Sequence, residues 1–250
     1  MTLALASTAQ ASAVRTFVSG TGTDANTSTN CARPTPCRTF AAAYTVTSAG
    51  GTIVALDAAG YGPLTITTAL TVVGIDGAGL APAANTTGIS INAGSHLVII
   101  RNLEINGANA ANSTGISLIA GHLILENSTL KQLTTGLIVN NSKAQLNNVE
   151  IAGNGTGIAT FGTGVDLNTF PQTGTTWVVM HYGTVLNNTT AFVMNDPGNN
   201  KNTILATQLG SALSIWAAGN TNFMTGSGSS CVSACNSLFG ILQQNGQNLL

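Results

Sequence analysis

The sequence predicts an all-β protein, a single-stranded right-handed parallel β-helix with a short N-terminal capping helix. Three observations carry this expectation. First, a Thr-Gly-Ile/Leu element recurs as Thr87-Gly88-Ile89, Thr114-Gly115-Ile116, Thr135-Gly136-Leu137 and Thr156-Gly157-Ile158, at steps of 27, 21 and 21 residues. Second, a nine-residue pattern runs in phase with it. Leu97 to Ile105, His122 to Leu130 and Lys143 to Ile151 align position by position, and Trp177 to Val185 repeats the frame more faintly after an insertion at residues 160–176. Third, charged residues make up only 6% of the chain, so Ser, Thr, Asn and Gly must supply its solubility and its turns.

Each repeat reads as about two short strands of alternating apolar residues, separated by Asn, Gly and Ser. A unit this small cannot bury its own apolar face. Stacked in parallel, such units share one continuous core and pair every internal strand, with neighbouring coils about 4.8 Å apart. A leucine-rich repeat has a similar period, but its Leu/Asn consensus and outer helix are not visible.

The ends read differently. Residues 1–13 resemble the end of a secretion signal: Leu3 to Ala6 are apolar and Ala11-Ser12-Ala13 is a small-residue cleavage pattern. A disordered tail is the alternative. Residues 14–50 then hold a first strand, a cysteine loop and a capping helix. That helix is expected within Pro36 to Thr47, opened by Thr35 or Pro36 and followed by Gly50-Gly51. The first coil follows as Thr52 to Leu56 and Leu64 to Val73, and the β-helix runs over 51–228. Residues 229–250 form a C-terminal cap, with Ser237 to Leu242 as a small closing element.

Four cysteines fall in two local pairs, Cys31 with Cys37 and Cys231 with Cys235. They read as disulfide staples in an exported protein. A four-cysteine zinc site and reduced bystander thiols are the alternatives, the first disfavoured by spacing and by the lack of a nearby His. No segment approaches about 20 consecutive apolar residues, so no membrane span is expected. Seven Lys and Arg spread along the chain make no basic patch, which argues against nucleic acid. A polar, nearly uncharged surface suits a polysaccharide or another protein. No cofactor is expected, and the sequence does not fix an oligomeric state. Secretion to the periplasm, medium or cell surface is the expected location.

Asn102, Asn127 and Asn148 share one alignment column. Asparagine tolerates the left-handed conformation needed at a corner, and its amide can bond to the same amide one coil away. The column is expected to form an internal asparagine ladder that ends at Tyr182.

Some of these residues resemble a known family. Arg15-Thr16-Phe17-Val18-Ser19, Gly22, Asp24 and Pro36-Cys37-Arg38-Thr39-Phe40 are similar to the start of many bacterial pectate-lyase-like right-handed β-helix proteins. Gly50-Gly51-Thr52-Ile53, Tyr61-Gly62-Pro63 and Leu70-Thr71-Val72 continue the likeness, which spans roughly 14–195. It implies a fold shared by lyases, glycosidases, esterases, tailspikes and adhesins, and implies no single activity. The clustered carboxylates of the polygalacturonase-like members and the Asp/Arg/Gln set of the esterase-like members have no counterpart.

The candidate catalytic residues come from the alignment. Glu104, Thr129, Glu150 and Thr184 share one outward column, which places Glu104 and Glu150 two coils, about 9–10 Å, apart. That is near the upper end of the spacing for two carboxylates acting across a glycosidic bond with a water between them. Arg101, Glu126, Asn147 and His181 fill a second outward column, with Lys131 close by. The plainer reading makes Arg101–Glu126 a surface ion pair worth about 0–1 kcal/mol and the glutamates solvated strand residues. Trp177, Tyr182 and His181 are candidate ligand contacts, because exposed aromatics stack on sugar rings; Trp177 can equally cover the core. The histidines His96, His122 and His181 lack metal-ligand spacing, so no metal site is expected. Together these readings favour an exported, non-catalytic recognition rod for glycan or protein. A polysaccharide lyase or glycoside hydrolase using the outward carboxylates is the alternative.

Overall fold

The computed structural model describes residues 12–161, 177–181, 183–195, 202–210, 222–227, 242–244 and 247–249. Strands dominate, and they stack in parallel as a β-solenoid. The larger sheet runs through strands Ala13–Val18, Thr47–Ala55, Leu70–Val73, Thr87–Arg101, Thr114–Glu126, Thr135–Asn140, Thr156–Phe161 and Thr190–Asn195. The smaller one runs through Gly79–Leu80, Glu104–Asn106, Thr129–Lys131, Glu150–Ala152, Thr184–Leu186, Asn202–Gly210 and Asn222–Ser227.

The register follows the sequence repeat. Thr114 pairs with Thr87 and Thr135, and Thr156 with Thr135 and Thr190. Lys143–Asn147 lies between Thr114–Glu126 and Trp177–His181. Each central coil therefore offers three parallel faces instead of the expected two. The third, typified by Glu104–Asn106, is three residues long, too short for period-2 alternation to single it out. Thr52 pairs with Thr71 and Leu64 with Ile89, so the segments expected to form one first coil belong to successive coils. Arg15 already pairs in parallel with Thr52.

Inward positions form one continuous column of aliphatic side chains. Ile89, Ile91, Ile100, Ile105, Ile116, Leu125, Leu137 and Ile151 are all buried. The Thr-Gly-Ile glycines are required by close approach. A Cβ on Gly115 would lie 2.5 Å from the Gly136 carbonyl oxygen, and one on Gly136 2.6 Å from that of Gly157. Only hydrogen fits between coils at this corner.

Asparagine turns the other corners. Asn102, Asn127 and Asn148 have φ of 55°, 47° and 53°, the left-handed region that asparagine tolerates better than most residues. The rung between Asn148 Nδ2 and Asn127 Oδ1 forms at 2.9 Å, while Asn102 Nδ2 turns to the Gly74 carbonyl at 3.4 Å. The column is exposed, which corrects the expectation of an internal ladder. The corner residue points outward because the next one, Leu103, Ser128 or Val149, must enter the core. Its expected end, Tyr182, lies outside the described residues.

A buried ladder does exist, one corner further on. Asn154 and Asn188 are almost wholly enclosed. Asn154 Oδ1 accepts from the Leu133 N–H (2.9 Å), and its Nδ2 donates to the Leu130 carbonyl (3.0 Å) and to Asn188 Oδ1 (2.9 Å). Asn188 Nδ2 repeats the pattern by donating to the Ile151 carbonyl at 2.9 Å. Buried amides survive here because their hydrogen-bonding groups find backbone or each other.

The N-terminal segment is tied down by polar knots. The helix spans Phe40–Thr45, shorter than expected, and Thr39 rather than Thr35 or Pro36 caps it by accepting from the Ala42 N–H at 3.1 Å. Asp24 fixes that cap: its Oδ1 accepts from the Arg38 and Thr39 N–H groups, both at 2.9 Å, and its Oδ2 accepts from the Thr39 hydroxyl at 3.0 Å. The helix packs Phe40 and Ala43 into the core, with Phe40 against Tyr61 at 4.8 Å between ring centroids. Cys31 and Cys37 form a disulfide. The loop it closes bonds the free edge of the first strand, through Phe17 N–H to the Cys31 carbonyl (2.8 Å) and Cys37 N–H to the Phe17 carbonyl (3.0 Å). Cys231 and Cys235 lie outside the described residues, as do residues 237–241 of the expected closing element. Leu242–Gln244 and Gln247–Leu249 pair as an antiparallel hairpin. No helix among the described residues is long and apolar enough to cross a membrane.

Candidate functional site

The smaller sheet and the exposed asparagine corner beside it form a concave surface along the stack. Two contiguous clefts of about 300 and 310 Å³ run along it and share Asn127 and Thr129. The first is lined by Asp76, Asn102, Glu104, Asn127 and Thr129, with Ile75 and the Gly77-Ala78 backbone at its end. The second continues through Ser128, Asn148, Glu150 and Thr184. Glu104 pairs in register with Thr129, Thr129 with Glu150, and Glu150 with Thr184, so the expected outward column is the floor of this groove.

The groove exists for a local reason. Each coil makes a left-handed corner at its asparagine, sends one residue into the core and then starts a three-residue strand. A corner followed at once by a short strand leaves a concave angle, and stacking repeats that angle along the axis.

Two ion pairs flank it. Lys131 Nζ donates to Glu104 Oε2 at 2.8 Å, with Lys131 35% and Glu104 46% exposed. Arg101 donates to Glu126 Oε2, and Glu126 Oε1 accepts from Asn147 Nδ2 at 3.2 Å, binding three adjacent coils together on the outward column of the neighbouring face. The plainer reading of Arg101 and Glu126 as a surface pair describes this contact. Arg101 therefore stays out of the groove, and Lys131 meets it only through Glu104. Glu150 is exposed and bonds to no side chain among the described residues.

Trp177 and His181 continue the outward columns by register, pairing with Lys143 and Asn147. Their side chains and all of Tyr182 lie outside the described residues, so these ligand contacts stay expectations. Burial, then the Lys143 ammonium, holds the His122 imidazole below its ordinary value. Among the described residues no three His, Cys, Asp or Glu side chains gather as a metal site.

Sequence reasoning missed Asp76, which lines the first cleft. It sits in the turn Gly74-Ile75-Asp76-Gly77, outside the aligned repeats; only the Gly-rich turn chemistry could have pointed to it. It also missed a second polar centre. Asp57 accepts from the Ser19 hydroxyl, the Tyr61 hydroxyl and the Gly20 N–H, in that order of effect, and these hold its carboxyl below the usual value. Tyr61 is fully buried; burial first, then Asp57, pushes its phenol far above the ordinary 10.0. Ser19 and Tyr61 each spend their hydroxyl hydrogen on Asp57, so this centre is a brace between coils rather than a nucleophile with its base.

No protein family, no curated protein and no solved structure matches this chain. What is shown is the fold: an all-β parallel solenoid with a polar, acidic groove along one edge.

Proposed function

We propose that the chain is an exported recognition rod that lays an extended glycan along the groove between Asp76 and Thr184 without cleaving it. One observation supports this most directly: the two clefts are continuous over successive coils and present an amide or a hydroxyl on each coil from Asn102 to Thr184. Asn102, Asn127 and Asn148 each carry donors and an acceptor, and Thr129 and Thr184 add hydroxyls. A rigid ladder of such groups suits a polymer that repeats its own hydroxyls along its length. The disulfide suits an oxidising compartment. The likeness of residues 14–195 to pectate-lyase-like β-helix proteins agrees with glycan binding at the level of fold alone.

Cleavage is the second reading, favoured by the register that sets Glu104 and Glu150 two coils apart. It is the weaker one. Both glutamates stand in solvent, without the apolar enclosure that fits a carboxyl to act as general acid. Lys131, the nearest candidate base for a lyase, is bonded to Glu104.

A glycan array with the full chain, read beside the ultraviolet absorbance of unsaturated sugar products, separates the readings. Binding without new absorbance, weakened in Asn127→Ala and Thr129→Ala, is the expected result. Rising absorbance that disappears in Glu150→Gln makes the protein a lyase and overturns the proposal.

A further inference from the structure

The described residues contain six of the chain's carboxylates: Asp24, Asp57, Asp76, Glu104, Glu126 and Glu150. Four have polar partners. Asp24 holds the helix cap, Asp57 the Ser19–Tyr61 brace, Glu126 binds Arg101 and Asn147, and Glu104 binds Lys131. Among the described residues, Asp76 and Glu150 find no side-chain hydrogen-bond partner and no ion-pair partner, and both line the groove. They sit about three coil steps apart, roughly 14 Å, with Glu104 between them. Among the described residues no lysine or arginine lines either cleft.

In a chain of only 8 acidic residues, two unpaired carboxylates on one continuous floor set the sign of its field. Concave walls concentrate such a field, and like charge across an interface disfavours a partner more than opposite charge rewards one. A uronate polymer would bring a carboxylate against this floor at each sugar. An amino-sugar polymer would bring an ammonium to Asp76 and Glu150, while its hydroxyls meet the asparagine and threonine side chains between them.

We infer that the groove selects glycans bearing free, protonated amines, in preference to acetylated or uronate chains. This inference rests on the groove being a glycan site. Selectivity comes from Asp76 and Glu150, and the Asn102–Asn127–Asn148 corner supplies the part of binding common to any extended glycan.

The test is calorimetric titration of the full chain with a hexamer of β-1,4-linked glucosamine, its fully N-acetylated counterpart and an oligogalacturonate. It is run at mildly acidic pH, where the sugar amines carry protons, and at low and high salt. The glucosamine hexamer is expected to bind on the order of tenfold more tightly than the acetylated one, and the galacturonate not at all. Salt is expected to erode that preference. Asp76→Asn with Glu150→Gln should abolish the preference, so that the two hexamers bind with equal affinity. Equal binding of amine and acetylated hexamers, or a preference untouched by the double variant, overturns the inference while leaving the groove a glycan site. Binding by none of the three, together with a silent array, removes the groove reading as well.

Discussion

The N-terminal knot and the groove use the same residue type in opposite ways. In the knot, Asp24 and Asp57 each accept three or more hydrogen bonds, and the bonds they accept tie the first strand, the helix and the following coil together. In the groove, Asp76 and Glu150 touch no partner among the described residues, and Glu104 meets one lysine at the rim. A chain that spends so few charges, and satisfies them so fully in one region, leaves them idle in the other at a cost in local repulsion. Charge that stabilises nothing in the fold is available to a ligand.

That contrast can be broken by mutation. The largest effect is expected at the buried asparagine pair. Asn154→Ala strands the Leu133 N–H and the Leu130 carbonyl, each costing about 1–3 kcal/mol when buried without a partner, so a total loss of about 3–4 kcal/mol is expected in urea denaturation. Asn127→Ala, at the exposed corner, is expected to cost much less, about 1 kcal/mol, mainly because alanine tolerates the left-handed backbone poorly. Equal costs at the two sites would erase the distinction between inner and outer asparagine columns.

Next comes the brace. Asp57→Ala takes the carboxylate away from the Ser19 hydroxyl and the Gly20 N–H and leaves the Tyr61 hydroxyl only the backbone carbonyl of residue 57, and should cost about 2–3 kcal/mol. Its pH dependence has a definite sign. The folded carboxyl is held below its ordinary 3.8, so its stabilisation is full above that value and is lost as pH falls through the folded one. Wild type should therefore lose stability below about pH 4, and the difference from Asp57→Ala should shrink there. Tyr61 acts at the other end: its raised pKa means stabilisation present below 10.0 and lost as pH rises beyond it. Opening the Cys31–Cys37 disulfide by reduction should cost about 2–3 kcal/mol from loop entropy and uncover the edge of the first strand. Light scattering before and after reduction reads the second effect.

Much of this architecture was legible in the chain. The Thr-Gly-Ile period carries the register of the central coils residue for residue, because a position where an added Cβ would meet a carbonyl oxygen at 2.5 Å holds only glycine. The Glu104–Thr129–Glu150–Thr184 column was also readable, since strand alternation fixes which side chains point outward. Other features were not. Asparagine at a corner says that the backbone is left-handed, but it does not say on which side of the wall the amide falls. Asn102, Asn127 and Asn148 stand outside, and the residue after each takes the inner place. Asn154 and Asn188 were hidden by the step between them: their coils are 34 residues apart, against 21 for the preceding pair of coils, so simple periodicity does not align them. Asp76 and Asp57 lie in turns before the repeat becomes regular, where spacing carries no phase. Ser19, which donates to Asp57, lies 38 residues away in sequence.

The smallest effect on stability is expected in the groove, and it is also the most direct test of the claim that its idle carboxylates serve a ligand. Urea denaturation of wild type and of Asp76→Asn/Glu150→Gln should be measured with and without the glucosamine hexamer. Without ligand the two curves should agree within about 0.5 kcal/mol, as for exposed residues that bond to nothing. With the hexamer at a hundredfold its dissociation constant, wild type should gain about 2.7 kcal/mol and the double variant clearly less. A double variant that is destabilised on its own, and that gains as much from the hexamer as wild type does, would contradict the account: the carboxylates would then serve the fold and not the ligand.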